Sequence, residues 1–228
     1  MSKIGFHILK KKKAKMMNKI CVGLDLDHNT PLKKYFNIIN ETKEFAYCYK
    51  INPAFFLNKT KKIEKLSDYL NSEKLLWIYD GKLGDVNHTN EQYAKLIYEE
   101  YKAWGTTLNP YMGFKSLEPF LKYKDKNNFI LCRTTNKGSE LLQKDCYKKV
   151  YNHANLKKLG LVVAANKENY LTEAIENCPN SLILSPGIGP QGGTIKLNNT
   201  NIIYNSSRSI INSKNPKETL KRLYEQSN

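Results

Sequence analysis

Between positions 80 and 89 the chain reads DGKLGDVNHT, and it sets Asp80, Lys82 and Asp85 directly after the apolar run LLWIY at 75–79. On a continuing strand, residues two apart face the same way. Asp80 and Lys82 would therefore present a carboxylate and an ammonium to one site. Charges taken out of water persist only when paired and hydrogen-bonded. Lys50, which closes the apolar run FAYCYKI at 45–51, supplies a second cation if its strand neighbours this one. Lys50, Asp80, Lys82 and Asp85 would then alternate in sign and sum to zero. An ion pair at the rim of a sheet would use the same residues, so the chemistry depends on what else gathers there.

A second group of residues lies near the end of the chain. SPGIGPQGG at 185–193 is glycine-rich and able to bring backbone N–H groups close to an anion. SSRSI at 206–210 follows with Arg208, whose guanidinium fork suits phosphate. A tight turn explains the glycines equally well. Together, an Asp/Lys array and an anion grip point to a small phosphorylated substrate.

These residues need elements to bring them together. Eight short apolar runs recur along the chain, at 19–25, 45–51, 75–80, 106–110, 129–134, 159–166, 181–187 and 202–207. They are rich in β-branched and aromatic residues and lack polar alternation, which is the pattern of strands buried on both faces. Between them lie charged segments such as TKKIEKLSDYLNSEK and NEQYAKLIYEEYKAW, with apolar residues at helical spacing. The expected fold is α/β, a single-domain (β/α)8 TIM barrel spanning 1–228, with residues 1–18 as a basic N-terminal helix or arm. A doubly wound open sheet is the alternative, but no G-x-G-x-x-G fingerprint follows the first strand. In a barrel, function sits where strands end. Asp25, Lys50, Asp80 with Lys82, Asn109, Thr134 with Thr135, and Arg208 all stand at such ends.

Composition narrows the classes. The 228 residues carry a formal charge of +16, and 37 of them are Lys or Arg. Only Arg133, Arg208 and Arg222 are arginine. Such a charge attracts nucleic acid, and the KKKKAK run at 10–15 is a candidate contact. Lysine spread over solvated helix faces explains it as well, and no RNA-binding motif accompanies it. The five cysteines form no C-x-x-C pair, so neither a disulfide framework nor a zinc site is signalled. No run approaches the ~20 apolar residues of a membrane span, and the N-terminus lacks the order of a secretory signal. A cytoplasmic protein is expected.

CVGLD, YKINPAFF, DGKLGDVNHT, TLNPYMG, CRTTNKGS, SPGIGPQGG and SSRSI, taken in order, resemble the orotidine 5′-phosphate decarboxylase family. TLNPYMG and the CRTTNKGS form are similar to the branch called type 2. D-x-K-x-x-D alone is shared by related sugar-phosphate barrels. The resemblance implies decarboxylation of orotidine 5′-monophosphate to uridine 5′-monophosphate in pyrimidine biosynthesis, without metal or organic cofactor. It implies that Lys82 protonates C6, Asp80 sits against the substrate carboxylate, and Lys50 orients Asp80. Asp25 would bind the ribose, Thr135 the pyrimidine, and Gln191 and Arg208 the phosphate. Asp85 and Thr89 would reach into the site of a partner subunit, which implies a homodimer.

The chain departs from the family pattern at Asp27, Thr135, Lys137, Pro190 and Ser207. Ser207 stands where glycine is usual, which matters if that position needs positive φ. None of these changes removes a charged group. Three rivals follow: a magnesium-dependent phosphosugar decarboxylase or aldolase of the same superfamily, a basic RNA-binding protein, and a relative that has lost catalysis. The magnesium-dependent enzymes carry an acid at the end of strand two, where this chain has Lys50.

Overall fold

The computed structural model describes residues 19–56, 59–188, 195 and 199–225. The expected basic arm over 1–18 lies outside the described residues, as do Pro190 and Gln191 of the glycine-rich loop. Each of the eight apolar runs overlaps a strand: β1 (Lys19–Gly23), β2 (Cys48–Ile51), β3 (Trp77–Leu83), β4 (Gly105–Leu108), β5 (Asn127–Arg133), β6 (Gly160–Val163), β7 (Ile183–Pro186) and β8 (Ile202–Ser206). They pair in sequence order, all parallel, and β8 closes on β1. The fold is a (β/α)8 barrel, and the open-sheet alternative is excluded by the β1–β8 ladder.

Helices connect the strands: α1 (Leu32–Thr42), α2 (Thr60–Ser72), α3 (Asn87–Lys95), the short α4 (Glu118–Leu121), α5 (Glu140–Lys157), α6 (Glu168–Asn177), α7 (Arg208–Ile211) and α8 (Pro216–Glu225). Their inward stripes follow from spacing. Helix α1 buries Tyr35, Ile38, Ile39 and Thr42, and α2 buries Ile63, Leu66, Ser67 and Leu70. Both are the i, i+3, i+4, i+7 series of one helical face. Each buried leucine or isoleucine contributes about 1.5–3 kcal/mol relative to exposure. Among the described residues no helix is long and apolar enough to cross a membrane.

Two apolar clusters result. The larger lies between strands and helices. The smaller joins Cys21, Cys48, Ile78, Phe129, Val162, Leu184 and Ile203, residues of seven different strands that plug the barrel's interior. Phe129 fits because Gly160 opposes it: a Cβ at position 160 would come within 2.6 Å of the Phe129 ring. With this plug below, polar side chains at the strands' C-terminal ends face a closed floor.

Candidate active site

At that end lies a cavity of about 560 Å³. Its charged wall comes from the first three strands. The β2 residue Lys50 sits opposite Ile78 in the β2–β3 register, two residues short of Asp80. Its Nζ donates to Asp80 Oδ2 at 2.8 Å and stands 3.6 Å from Asp25 Oδ1. Lys82 Nζ donates to the other oxygen, Asp80 Oδ1, at 2.8 Å. The Thr107 hydroxyl of β4 donates to Asp80 Oδ1 at 2.8 Å and accepts the Lys82 backbone N–H at 2.9 Å. Lys50 and Asp80 are buried, whereas the Lys82 side chain is 46% exposed.

The charges hold one another ionised. Burial by itself would raise the pKa of Asp80, but Lys50 and Lys82 outweigh it and keep the carboxyl well below its usual range. Burial likewise works against the Lys50 ammonium, and Asp80 followed by Asp25 more than compensates, holding its pKa above the ordinary lysine value. Asp25 Oδ1 is itself buried without a hydrogen bond.

Lys82 reaches this position through an irregular strand. The β3–β4 register slips between Tyr79 and Leu83, and Lys82 takes φ +48. A non-glycine residue there costs on the order of 1 kcal/mol. The Thr107 contact to its N–H holds the distortion. Two residues on, Gly84 lets the β4 loop pass: a Cβ there would lie 2.2 Å from Asn109 O.

The array within one chain is Asp25–Lys50–Asp80–Lys82, still two acids and two bases. Asp85 is not part of it: its Oδ1 accepts the Val86 N–H at 2.6 Å, and among the described residues it makes no ion pair. Its loop is fixed by Asn90, whose side chain accepts from Asp85 N at 3.1 Å and donates to Asp85 O and Ser116 O, both at 2.7 Å. Thr89 lies on α3 and, like Asp85, does not line the cavity. Thr135 and Arg208 do line it. Ser207 has φ −123, so a side chain there meets no left-handed restriction, and its hydroxyl donates to Gly23 O at 2.8 Å.

The sequence reading missed Thr107, Asn90 and Gln143. Thr107 precedes Asn109 by two residues, so strand alternation would have found it. Asn90 and Gln143 carry no such signal, being polar residues on helices whose partners are set by tertiary contact. The opposite wall is apolar, with Leu131, Val162, Leu184, Pro186 and Ile188. A flat, partly apolar ligand would lie between that wall and the charges, with an anionic end toward Arg208.

Comparisons with known proteins agree with this geometry. The profile of the orotidine 5′-phosphate decarboxylase / HUMPS family matches residues 18–223. An orotidine 5′-phosphate decarboxylase of Christiangramia forsetii is 34% identical over 226 residues, covering 84% of this chain and 83% of that protein. The structure of Leishmania donovani OMP decarboxylase superposes with a TM-score of 0.83 at 31% identity, covering 97% of this chain and 96% of that one. Leishmania donovani UMP synthase superposes with a TM-score of 0.87 at 31% identity over 99% of this chain, which spans 56% of that longer protein. By the family profile, and by identity across most of both chains, this protein belongs to the orotidine 5′-phosphate decarboxylase / HUMPS family.

Proposed function

We propose that this chain decarboxylates orotidine 5′-monophosphate to uridine 5′-monophosphate, with Lys82 as the proton donor. The carrying observation is the placement of Lys82 Nζ: it is held 2.8 Å from Asp80 Oδ1, at the exposed end of an otherwise buried charge array. Loss of carbon dioxide leaves an electron pair in an sp² orbital at C6, where the ring delocalises it poorly. A fixed ammonium beside C6 stabilises that charge as it develops, which is preorganised electrostatics. The C6–carboxyl bond breaks, its electron pair takes a proton from Lys82, and the neutral amine regains one from solvent.

Asp80 stands against the substrate carboxylate, and Lys50 holds Asp80 ionised. Asp25 receives the ribose hydroxyls, in keeping with its buried Oδ1, which accepts no hydrogen bond. Thr135 faces the pyrimidine, and Arg208 with Gln191 takes the phosphate. The reaction needs no metal in this reading. Its support is that the Lys50 ammonium lies between Asp25 and Asp80, where a cation bridging the two carboxylates would have to sit.

The functional unit in this reading is a homodimer, with Asp85 and Thr89 completing the partner's site. Two features support it: Asp85 lies outside its own chain's cavity, and Val86 beside it, with Tyr111 and Met112 on the loop after β4, is at least half exposed. The test is loss of orotidylate ultraviolet absorbance with purified protein, with and without EDTA. Chelator-insensitive conversion to uridylate is the expected result. Turnover that EDTA abolishes would overturn the metal-free mechanism, and absence of turnover would overturn the activity.

A further inference from the structure

Arg133 is one of three arginines in the chain, and it is wholly buried. Strand alternation would aim it into the cavity, because Phe129 plugs the barrel interior and Leu131 lines the cavity. The β5–β6 register instead slips between Leu131 and Arg133. A bulge of this kind re-aims a side chain, and here Arg133 turns outward beneath α5 and α6. Its guanidinium lies 3.8 Å from the Tyr170 ring centroid and 5.4 Å from that of Tyr147. Nη2 donates to both Glu140 oxygens at 2.7 Å, while Nε and Nη1 are buried without partners. Lys167 Nζ adds a contact to Glu140 Oε1 at 2.5 Å.

Glu140 opens α5, and one turn later Gln143 reaches back to the loop between strand and helix. Gln143 Oε1 accepts the Thr134 backbone N–H at 2.9 Å, and Nε2 donates to the Thr134 hydroxyl at 3.0 Å. The loop that these contacts enclose begins with Thr134, Thr135 and Asn136, all lining the cavity along with Gln143. The loop is thus tied at its start by Gln143 on Thr134 and across its ends by an ion pair between buried Arg133 and half-exposed Glu140. An ion pair with a half-exposed partner adds little to stability, so stability alone does not account for a buried arginine here.

We infer that Arg133 and Gln143 are positioning residues for the base of the bound nucleotide. Arg133 acts from outside the barrel: it fixes the first turn of α5, and Gln143 on that turn sets the height at which Thr134 and Thr135 meet the ring. This rests on the proposed function, in which that loop faces the pyrimidine. It assigns the loop's geometry to a clamp that never touches the reacting atoms.

The test compares Gln143→Ala, Gln143→Glu, Arg133→Met and Arg133→Lys with the parent enzyme. Gln143→Ala should raise KM for orotidylate and weaken inhibition by uridylate about tenfold, the loss of roughly one to two hydrogen bonds. Inhibition by ribose 5-phosphate, which has no base, should be unchanged. Gln143→Glu keeps the acceptor for Thr134 N–H and should recover part of the loss. Arg133→Lys keeps a cation for Glu140 but loses the planar group over Tyr170, and should recover only part of the Arg133→Met loss. Equal weakening toward both inhibitors would reduce the clamp to a general structural role, and unchanged KM in all four variants would overturn it. Amide exchange over 134–139 should quicken in Arg133→Met and Gln143→Ala, and unaltered exchange also overturns the proposal. A parent enzyme that leaves orotidylate unconverted would overturn the functional reading, while the exchange result still decides whether the clamp exists.

Discussion

Lys50 and Lys82 hold opposite oxygens of one carboxylate, each 2.8 Å from Asp80, yet they differ in exposure. The Lys50 side chain is 6% exposed and that of Lys82 is 46% exposed. One ammonium is therefore committed to holding Asp80 ionised, and the other is available to a ligand in the cavity. The exposed ammonium is the one carried on left-handed backbone, at Lys82.

Replacing Lys82 with alanine should leave the fold and nucleotide binding intact while removing nearly all turnover, a loss of at least ~10³-fold. Parallel melting, uridylate titration and absorbance assays check this. A Lys82→Ala enzyme with near-normal rate would falsify the assignment of the proton donor.

Lys50→Met should behave differently. It leaves buried Asp80 with one cation instead of two, and breaking a buried pair costs about 3–5 kcal/mol. A clear drop in Tm is expected together with lost activity. By contrast, Lys82→Ala removes a half-exposed partner and should shift stability by about 1 kcal/mol or less. Equal Tm losses in the two variants would contradict the division of roles.

The pH dependence of stability follows from the same groups. The Asp80 pKa is depressed on folding, so its contribution is fully present above about pH 4 and is lost as pH falls toward the folded value. The Lys50 pKa is raised, so its contribution is full below about pH 10 and is lost only in stronger alkali. The stability gap between the parent protein and Asp80→Asn should stay constant from about pH 5 to 9 and narrow below about pH 4. A gap that already closes near neutrality would show that Asp80 is not held ionised.

Thr107→Val should cost activity beyond its effect on packing. The change is nearly isosteric, but it removes a donor to Asp80 and the acceptor for the strained Lys82 N–H. About 1–3 kcal/mol of stability should be lost, with a fall in kcat larger than the rise in KM. A variant with unchanged kcat would mean that Lys82 keeps its position without this contact.

Thiol reactivity offers a check on the barrel itself. Cys146 is exposed, whereas Cys21, Cys48, Cys132 and Cys178 are buried. Burial, with Cys48 adding to it, pushes the Cys21 thiol well above its usual range, which suppresses the reactive thiolate. A chromogenic disulfide reagent should label Cys146 rapidly in the native protein and the four buried thiols only on unfolding. Rapid native labelling at Cys21 or Cys48 would be incompatible with a closed barrel.

Local pattern was enough to read the eight strands, their parallel order and the charged ends of the first three. A strand buried on both faces must be continuously apolar, and a helix packed on it must repeat every three to four residues. Asp25, Lys50, Asp80 and Lys82 were legible because each interrupts such a run at its end. Asp85 was grouped with them by proximity in sequence, but the turn after Gly84 carries it away from its own chain's cavity. The outward arginine and the two helix amides were decided only by the tertiary structure. Register slips at 79–83 and 131–133 re-aim side chains, and no spacing rule encodes a slip. The reach of Asn90 and Gln143 to their loops depends on where a helix docks, which is set by packing across the whole barrel and not by neighbouring residues.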